Sequence, residues 1–176
     1  MFGFWNAYCL VKAVAGVEWK YTHMDDIDLK LLDVIQHNGR GGYAHFGEMV
    51  GLSKTTVYER LKKLTASGVI KGWTARVDLI QIGCPVVLLI RVEVDLPSNR
   101  LAFAETVSNL PGVQECHMTS GRWSCCLKLR AASIEQAERL FDEKIAPIKG
   151  VLSMQVDTVT HTKKETLCLP GREPSC

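Results

Sequence analysis

The chain has 176 residues, 47% of them hydrophobic and 23% charged, with a formal net charge of +2 at pH 7. That balance excludes an intrinsically disordered chain and a bulk polycation, and the length holds one ordinary domain or two small ones. No run of about 18 uncharged apolar residues occurs, because Lys12 and Glu18 interrupt the greasiest stretch, so no transmembrane span is expected.

Residues 1–23 differ in texture from the rest of the chain. They lack a basic leading region and a small-residue cleavage site, which argues against a secretory signal. They read either as an upstream extension outside the fold or as an apolar arm that packs on a partner or a membrane surface. The seven cysteines are scattered, with no C-x-x-C pair, so neither a disulfide framework nor a zinc knuckle is indicated and a reducing cytoplasm is the expected location.

From Asp25 the apolar residues take a helical period. Asp25 or Asp26 caps a first helix with Ile27, Leu31, Val34 and Ile35 on one stripe, released near His37-Asn38-Gly39. A second helix covers about 43–50, with Phe46, Met49 and Val50 on its buried side. Ser53 caps a third over 53–66, whose Val57, Leu61 and Leu64 recur at i, i+4 and i+7. Residues 72–78 alternate weakly and read as a short strand or wing. A hinge is expected at 79–83.

From Cys84 the pattern changes to strands at 84–95, 113–120, 123–130 and 151–162, with helices at about 98–109 (Leu101, Ala104, Val107) and 133–146 (Ile134, Ala137, Leu140, Phe141, Ile145). The order β-α-β-β-α-β predicts an α+β fold: a ferredoxin-like sandwich over 84–170 behind a winged helix-turn-helix over 24–78, with a tail at 171–176. Leu110-Pro111-Gly112-Val113 and Ile148-Lys149-Gly150-Val151 form a faint internal repeat of glycine turn into strand. No helix covers the sheet's other face, and an open apolar face there predicts a homo-oligomer.

Between residues 51 and 73, Lys54, Arg60, Lys62, Lys63 and Lys71 stand against Glu59 alone. Gly47, Gly51 and Val57 have the spacing that two helices joined by a tight turn require, so 53–66 reads as a recognition helix meeting double-stranded DNA. Ser53, Lys54, Thr55 and Thr56 lie in its first turn, where side chains reach base edges, while Tyr58, Lys62 and Lys63 suit phosphates. Without that glycine spacing, the charges would be an ordinary solvated face. Arg40 either reaches the DNA backbone or pairs with an acidic neighbour such as Asp33. Arg60 is assigned to neither side.

Asp25-x-x-Asp28-x-x-Leu31-Leu32, Asn38-Gly39-Arg40, Gly51-Leu52-Ser53, Val57-x-x-Arg60-Leu61-x-x-Leu64-x-x-x-Gly68-Val69-Ile70, Leu110-Pro111-Gly112-Val113 and Gly150-Val151 together resemble the Lrp/AsnC (feast/famine) family of transcriptional regulators. The resemblance runs from about Met24 to Pro170. It implies a helix-turn-helix joined to a regulation domain, dimers formed through the sheets, often octamers, and an amino acid or related metabolite as effector. The family's effector turn, commonly Thr-Gly-x-x-Asp, reads here Thr119-Ser120-Gly121-Arg122-Trp123-Ser124, with Ser124 at the acidic position. Losing that carboxylate removes the obvious partner for an α-ammonium, while Arg122 suits a carboxylate or phosphate; the alternative is a hairpin without a ligand. Phe46-Gly47 also departs from the family's usual Leu-Ala.

Three other readings stay beside this one. Cys116, His117, Cys125 and Cys126, with His161, could gather a soft metal, but adjacent residues on a strand point to opposite faces, so no metal or other cofactor is assigned. Some chains of this architecture are similar to haem-pathway decarboxylases, for which His117, Arg122 and His161 would be the candidates; no acid-base or nucleophile constellation is laid out, and the chain is read as no enzyme. The third is an architectural DNA binder with no effector.

Overall fold

The computed structural model describes residues 24–167; the extension at 1–23 and the tail at 171–176 lie outside them. The described chain forms two compact units, one holding residues 24–74 and the other 75–165.

The first unit has three helices, α1 (Asp26–His37), α2 (Tyr43–Val50) and α3 (Lys54–Ala66). A reciprocal capping box starts α1: the Asp25 carboxylate accepts from the Asp28 N–H at 2.7 Å, and that of Asp28 from the Asp25 N–H at 3.3 Å. Leu31, Val34, Ile35, Phe46, Val57, Leu61 and Leu64 are buried in one core. Met49 is 42% exposed, so the inner side of α2 is narrower than its sequence implies. The expected wing at 72–78 is absent: no strand occurs there and every one of those residues is exposed. Arg76 within the stretch donates from its side chain to the Glu165 carbonyl at 2.9 Å, but the segment joins no sheet ladder. The next turn is held instead by Asp78, whose carboxylate accepts from the Ile80 and Gln81 N–H groups.

The second unit runs β1 (Val86–Val94), α4 (Pro97–Ser108), β2 (Val113–Met118), β3 (Cys125–Ala131), α5 (Ile134–Leu140) and β4 (Val151–Thr158). Its sheet is antiparallel, in the order β2-β3-β1-β4. The βαββαβ expectation holds, with differences in detail. Phe103, fully buried beside Val107, anchors α4, whereas Leu101 is 57% exposed. The helix expected over 133–146 is α-helical to Leu140 and then widens into a π turn, Phe141–Ile145. Gly112 and Gly150 both adopt positive φ, +94° and +90°, where a side chain is strained, which accounts for the repeated glycine turn.

Alternation along β1 turns Leu88, Ile90, Val92 and Val94 toward the buried core. The opposite face is not the apolar surface expected from the sequence. Register places Arg91, Glu93, Lys128, Arg130 and Asp157 on it with Val87 and Leu89, and Arg91 pairs with Asp157 at 2.7 Å. The chain beyond β4 reaches the same face: the Glu165 carboxylate meets Lys128 and lies 3.6 Å from Arg130.

Candidate nucleic-acid interface

The recognition helix α3 begins at Ser53, whose side chain accepts from the Thr56 N–H at 3.2 Å. Gly51, in the left-handed conformation at φ +74°, ends α2 and donates its N–H to the Gly47 carbonyl. The Leu52 N–H donates to that carbonyl too, at 2.8 Å, and a Cβ on Gly47 would overlap the Leu52 carbonyl oxygen. The glycine therefore lets the turn lie against α2.

With Val57, Leu61 and Leu64 buried, helical geometry sends Lys54, Thr55, Tyr58, Lys62 and Lys63 outward, and all five are exposed. Thr55 carries no side-chain hydrogen bond among the described residues, whereas the Thr56 hydroxyl lies 2.9 Å from Ser53 Oγ and completes the cap. Tyr58 is braced: the Tyr43 ring meets it edge-on at 5.6 Å between centroids, and Lys62 Nζ stands 6.0 Å from its ring centre. The phenol is thereby fixed beside an ammonium, a pairing that suits a phosphate backbone. The free N–H groups at the start of α3 add a favourable site for the same anion.

Arg40 stands in the loop before α2, exposed, and lines an open hollow with His37, Asn38, Gly41 and His45. Asp33, its alternative partner, is buried, and its carboxylate lies 3.4 Å from His37 Nδ1. Arg60 is a structural residue. Its guanidinium donates to Asp28 at 2.7 Å and Asp25 at 2.8 Å, tying α3 to the start of α1. The backbone hydrogen bond from Asp28, with Arg60 beside it, holds the Asp25 carboxyl below the usual carboxylate range. Arg60→Ala is expected to lower the melting temperature by roughly 5 °C and leave the salt dependence of DNA binding as it was. A change in that salt dependence, measured by titration, would instead place Arg60 in the DNA-contacting set.

In the second unit, the turn 119–124 is closed by the Thr119 N–H on the Ser124 carbonyl, 2.9 Å, and by the Thr119 hydroxyl on the Trp123 carbonyl, 2.5 Å. Ser124 is 1% exposed; its hydroxyl accepts from the Val94 N–H and donates to the Val94 carbonyl, both at 3.1 Å. It faces the protein as a clip between the hairpin and β1, not a ligand. Ser120 and Gly121 are exposed at the tip. Arg122 extends over the Trp123 ring, 5.1 Å from its centre, and meets Glu93 at 3.5 Å. No local signal in the sequence points to Glu93, which is remote from the turn in the chain.

Among the described residues, no group of three or more His, Cys, Asp or Glu side chains could hold a metal ion, and no helix is long and apolar enough to cross a membrane. Register puts His117 opposite Cys126 on one face and Cys116 opposite Leu127 on the other.

Residues 24–65 match the AsnC-type helix-turn-helix domain, and residues 86–168 the Lrp/AsnC ligand binding domain. The chain is 32% identical to the HTH-type transcriptional regulator FL11 of Pyrococcus horikoshii over 150 residues, covering 84% of this chain and 96% of that protein. It is also 32% identical to the leucine-responsive regulatory protein of Haemophilus influenzae over 147 residues, covering 81% and 87%. Among solved structures, a transcriptional regulator of Neisseria meningitidis in complex with L-Met superimposes with a TM-score of 0.78 at 26% identity, over 84% of this chain and 96% of that one.

Proposed function

We propose, for a chain that belongs to the Lrp/AsnC family of DNA-binding transcriptional regulators, that α3 enters the major groove of a promoter and that a small metabolite bound by the sheet unit modulates it. The protein is a regulator with a helix-turn-helix and a ligand-binding domain; its relatives are transcriptional regulators, not enzymes. The single observation carrying the DNA contact is α3: an apolar stripe buried to the last residue, with Lys54, Thr55, Lys62 and Lys63 on the opposite side.

In this reading Ser53, Lys54, Thr55 and Thr56 form the end of α3 that enters the groove, with Thr55 offering the unengaged hydroxyl, while Arg40, Tyr58, Lys62 and Lys63 meet phosphates. Residues 79–83 act as the hinge. The effector site comprises Thr119, Ser120, Gly121 and Arg122, framed from inside by Ser124. L-Met seated in the Neisseria relative supports an amino acid or its derivative as the ligand class. The chain works in the cytoplasm as a homo-oligomer, dimers assembling through their sheets and toward octamers. Large apolar side chains left exposed on this unit, such as Leu101, Ile134 and Leu152, support further contacts between copies.

Titration of the full chain against the duplex upstream of its own gene and a random duplex, at several salt concentrations, tests the reading. A preference of more than about tenfold for the upstream duplex is expected, with amino acids shifting that affinity. Less discrimination, unmoved by any amino acid, would make it an architectural binder.

A further inference from the structure

The effector turn lacks the carboxylate its family commonly places there, which leaves an amino-acid ligand without a partner for its ammonium group. The structure supplies one from another element. Glu93, at the end of β1, has a side chain 30% exposed and stands 3.5 Å from Arg122 Nε. It sits beside an irregularity in the sheet: Glu93 pairs with Ser153 but Val94 with Val151, so β4 carries an extra residue, Leu152, at this point. Such a bulge re-aims the neighbouring side chains and recurs next to binding sites. The β1 backbone next to Glu93 is fixed too, since Val94 is clamped through both backbone groups to the buried Ser124 hydroxyl.

We infer that Glu93 and Arg122 together form a zwitterion clamp, Glu93 receiving the α-ammonium and Arg122 the α-carboxylate of a free amino acid. The inference rests on the effector reading of this turn. Arg122 is 71% exposed and its bond to Glu93 is longer than a tight ion pair, so a zwitterion inserted between them exchanges one loose surface pair for two charge-assisted contacts. Asp157, the other carboxylate that register places on this face, is already engaged by Arg91 at 2.7 Å. Trp123, with Arg122 5.1 Å and Arg91 5.9 Å from its ring centre, forms an apolar wall beside the clamp for the ligand's side chain. Ser124 thus holds the frame and Glu93 carries the charge.

Calorimetry on the full chain with each standard L-amino acid, its 2-oxo acid and its decarboxylated amine tests this. Wild type is expected to bind at least one amino acid more tightly than either counterpart. Glu93→Gln should weaken that amino acid by about tenfold or more while 2-oxo acid binding stays within about threefold; Arg122→Gln should weaken both the amino acid and its 2-oxo acid by about tenfold or more, sparing the amine. Both substitutions lie at exposed or half-exposed positions, Glu93→Gln keeps side-chain size, and matching melting curves would confirm the fold. Undiminished amino-acid binding by Glu93→Gln overturns the clamp but leaves the turn as an effector site. Binding of no amino acid by wild type overturns both.

Discussion

Replacing Lys62 and Lys63 together with alanine is expected to weaken binding to every duplex by on the order of tens-fold near 0.1 M salt and to flatten the slope of log affinity against log salt by about two per chain. Both ammonium groups stand on exposed positions of α3, opposite the Val57, Leu61 and Leu64 stripe, and neither is held in an ion pair among the described residues. Their displacement of counterions is therefore a direct charge contribution, with little cost to the fold. The control is Lys144→Ala with Lys149→Ala, which removes the same charge from exposed positions of the other unit. Neither lysine belongs to the proposed contact set, so that pair should change the slope by much less than about two. Thr55→Ala should instead reorder the preference among related sites, because a side chain at a base edge discriminates where a phosphate contact does not. An equal loss on all sequences from Thr55→Ala and from the lysine pair would contradict the orientation of α3; so would an unchanged slope.

Local chemistry makes the first unit legible. Caps at Asp25 and Ser53, a glycine turn and an apolar period of 3.6 lie within a few residues of what they determine, and all three helices stand where those signals put them. The features that sequence does not reveal depend on partners far along the chain. Arg60 has no assignable role from its neighbours because Asp28, which it binds, lies 32 residues earlier on another helix. Leu101 reads as a core residue of α4 beside Val107, yet Phe103 is buried with Val107 in its place, since the sheet that the helix meets decides its inner side. The wing fails for the same reason in reverse: residues 72–78 alternate, but alternation makes a strand only where a second strand offers a ladder. The sheet's open face reads as apolar because β1 is nearly continuous in Val, Leu and Ile; its charges come largely from β3 and β4, brought alongside by register. In the turn 119–124 the missing acid is legible, but the approach of Glu93 from β1 to Arg122 is not.

Gly150→Ala is expected to destabilise the second unit by about 2–4 kcal/mol, the sum of a left-handed conformation that side chains resist and a steric overlap. The overlap has identifiable partners: an added Cβ would lie 2.5 Å from Asp95 Oδ1 and 2.8 Å from Asn99 Nδ2. These atoms cannot yield cheaply, because the Asp95 carboxylate accepts from the Leu96 N–H and from Asn99 at 2.7 Å, organising the first turn of α4. The Asp95 N–H in turn donates to the Gly150 carbonyl at 2.9 Å, so the turn into β4 and the start of α4 form one joint. For a unit of this size the loss corresponds to a fall in melting temperature of roughly 10–20 °C. Gly72→Ala is the matched control, with nothing within 4 Å of its added Cβ, and should stay within about 0.5 kcal/mol of wild type. Because the joint sits at the end of β1, next to Glu93, the Gly150 variant should also loosen amino-acid binding at temperatures where it remains folded. A melting curve within about 2 °C of wild type would show that the chain does not pass so close to Asp95, and that the glycine serves only the turn.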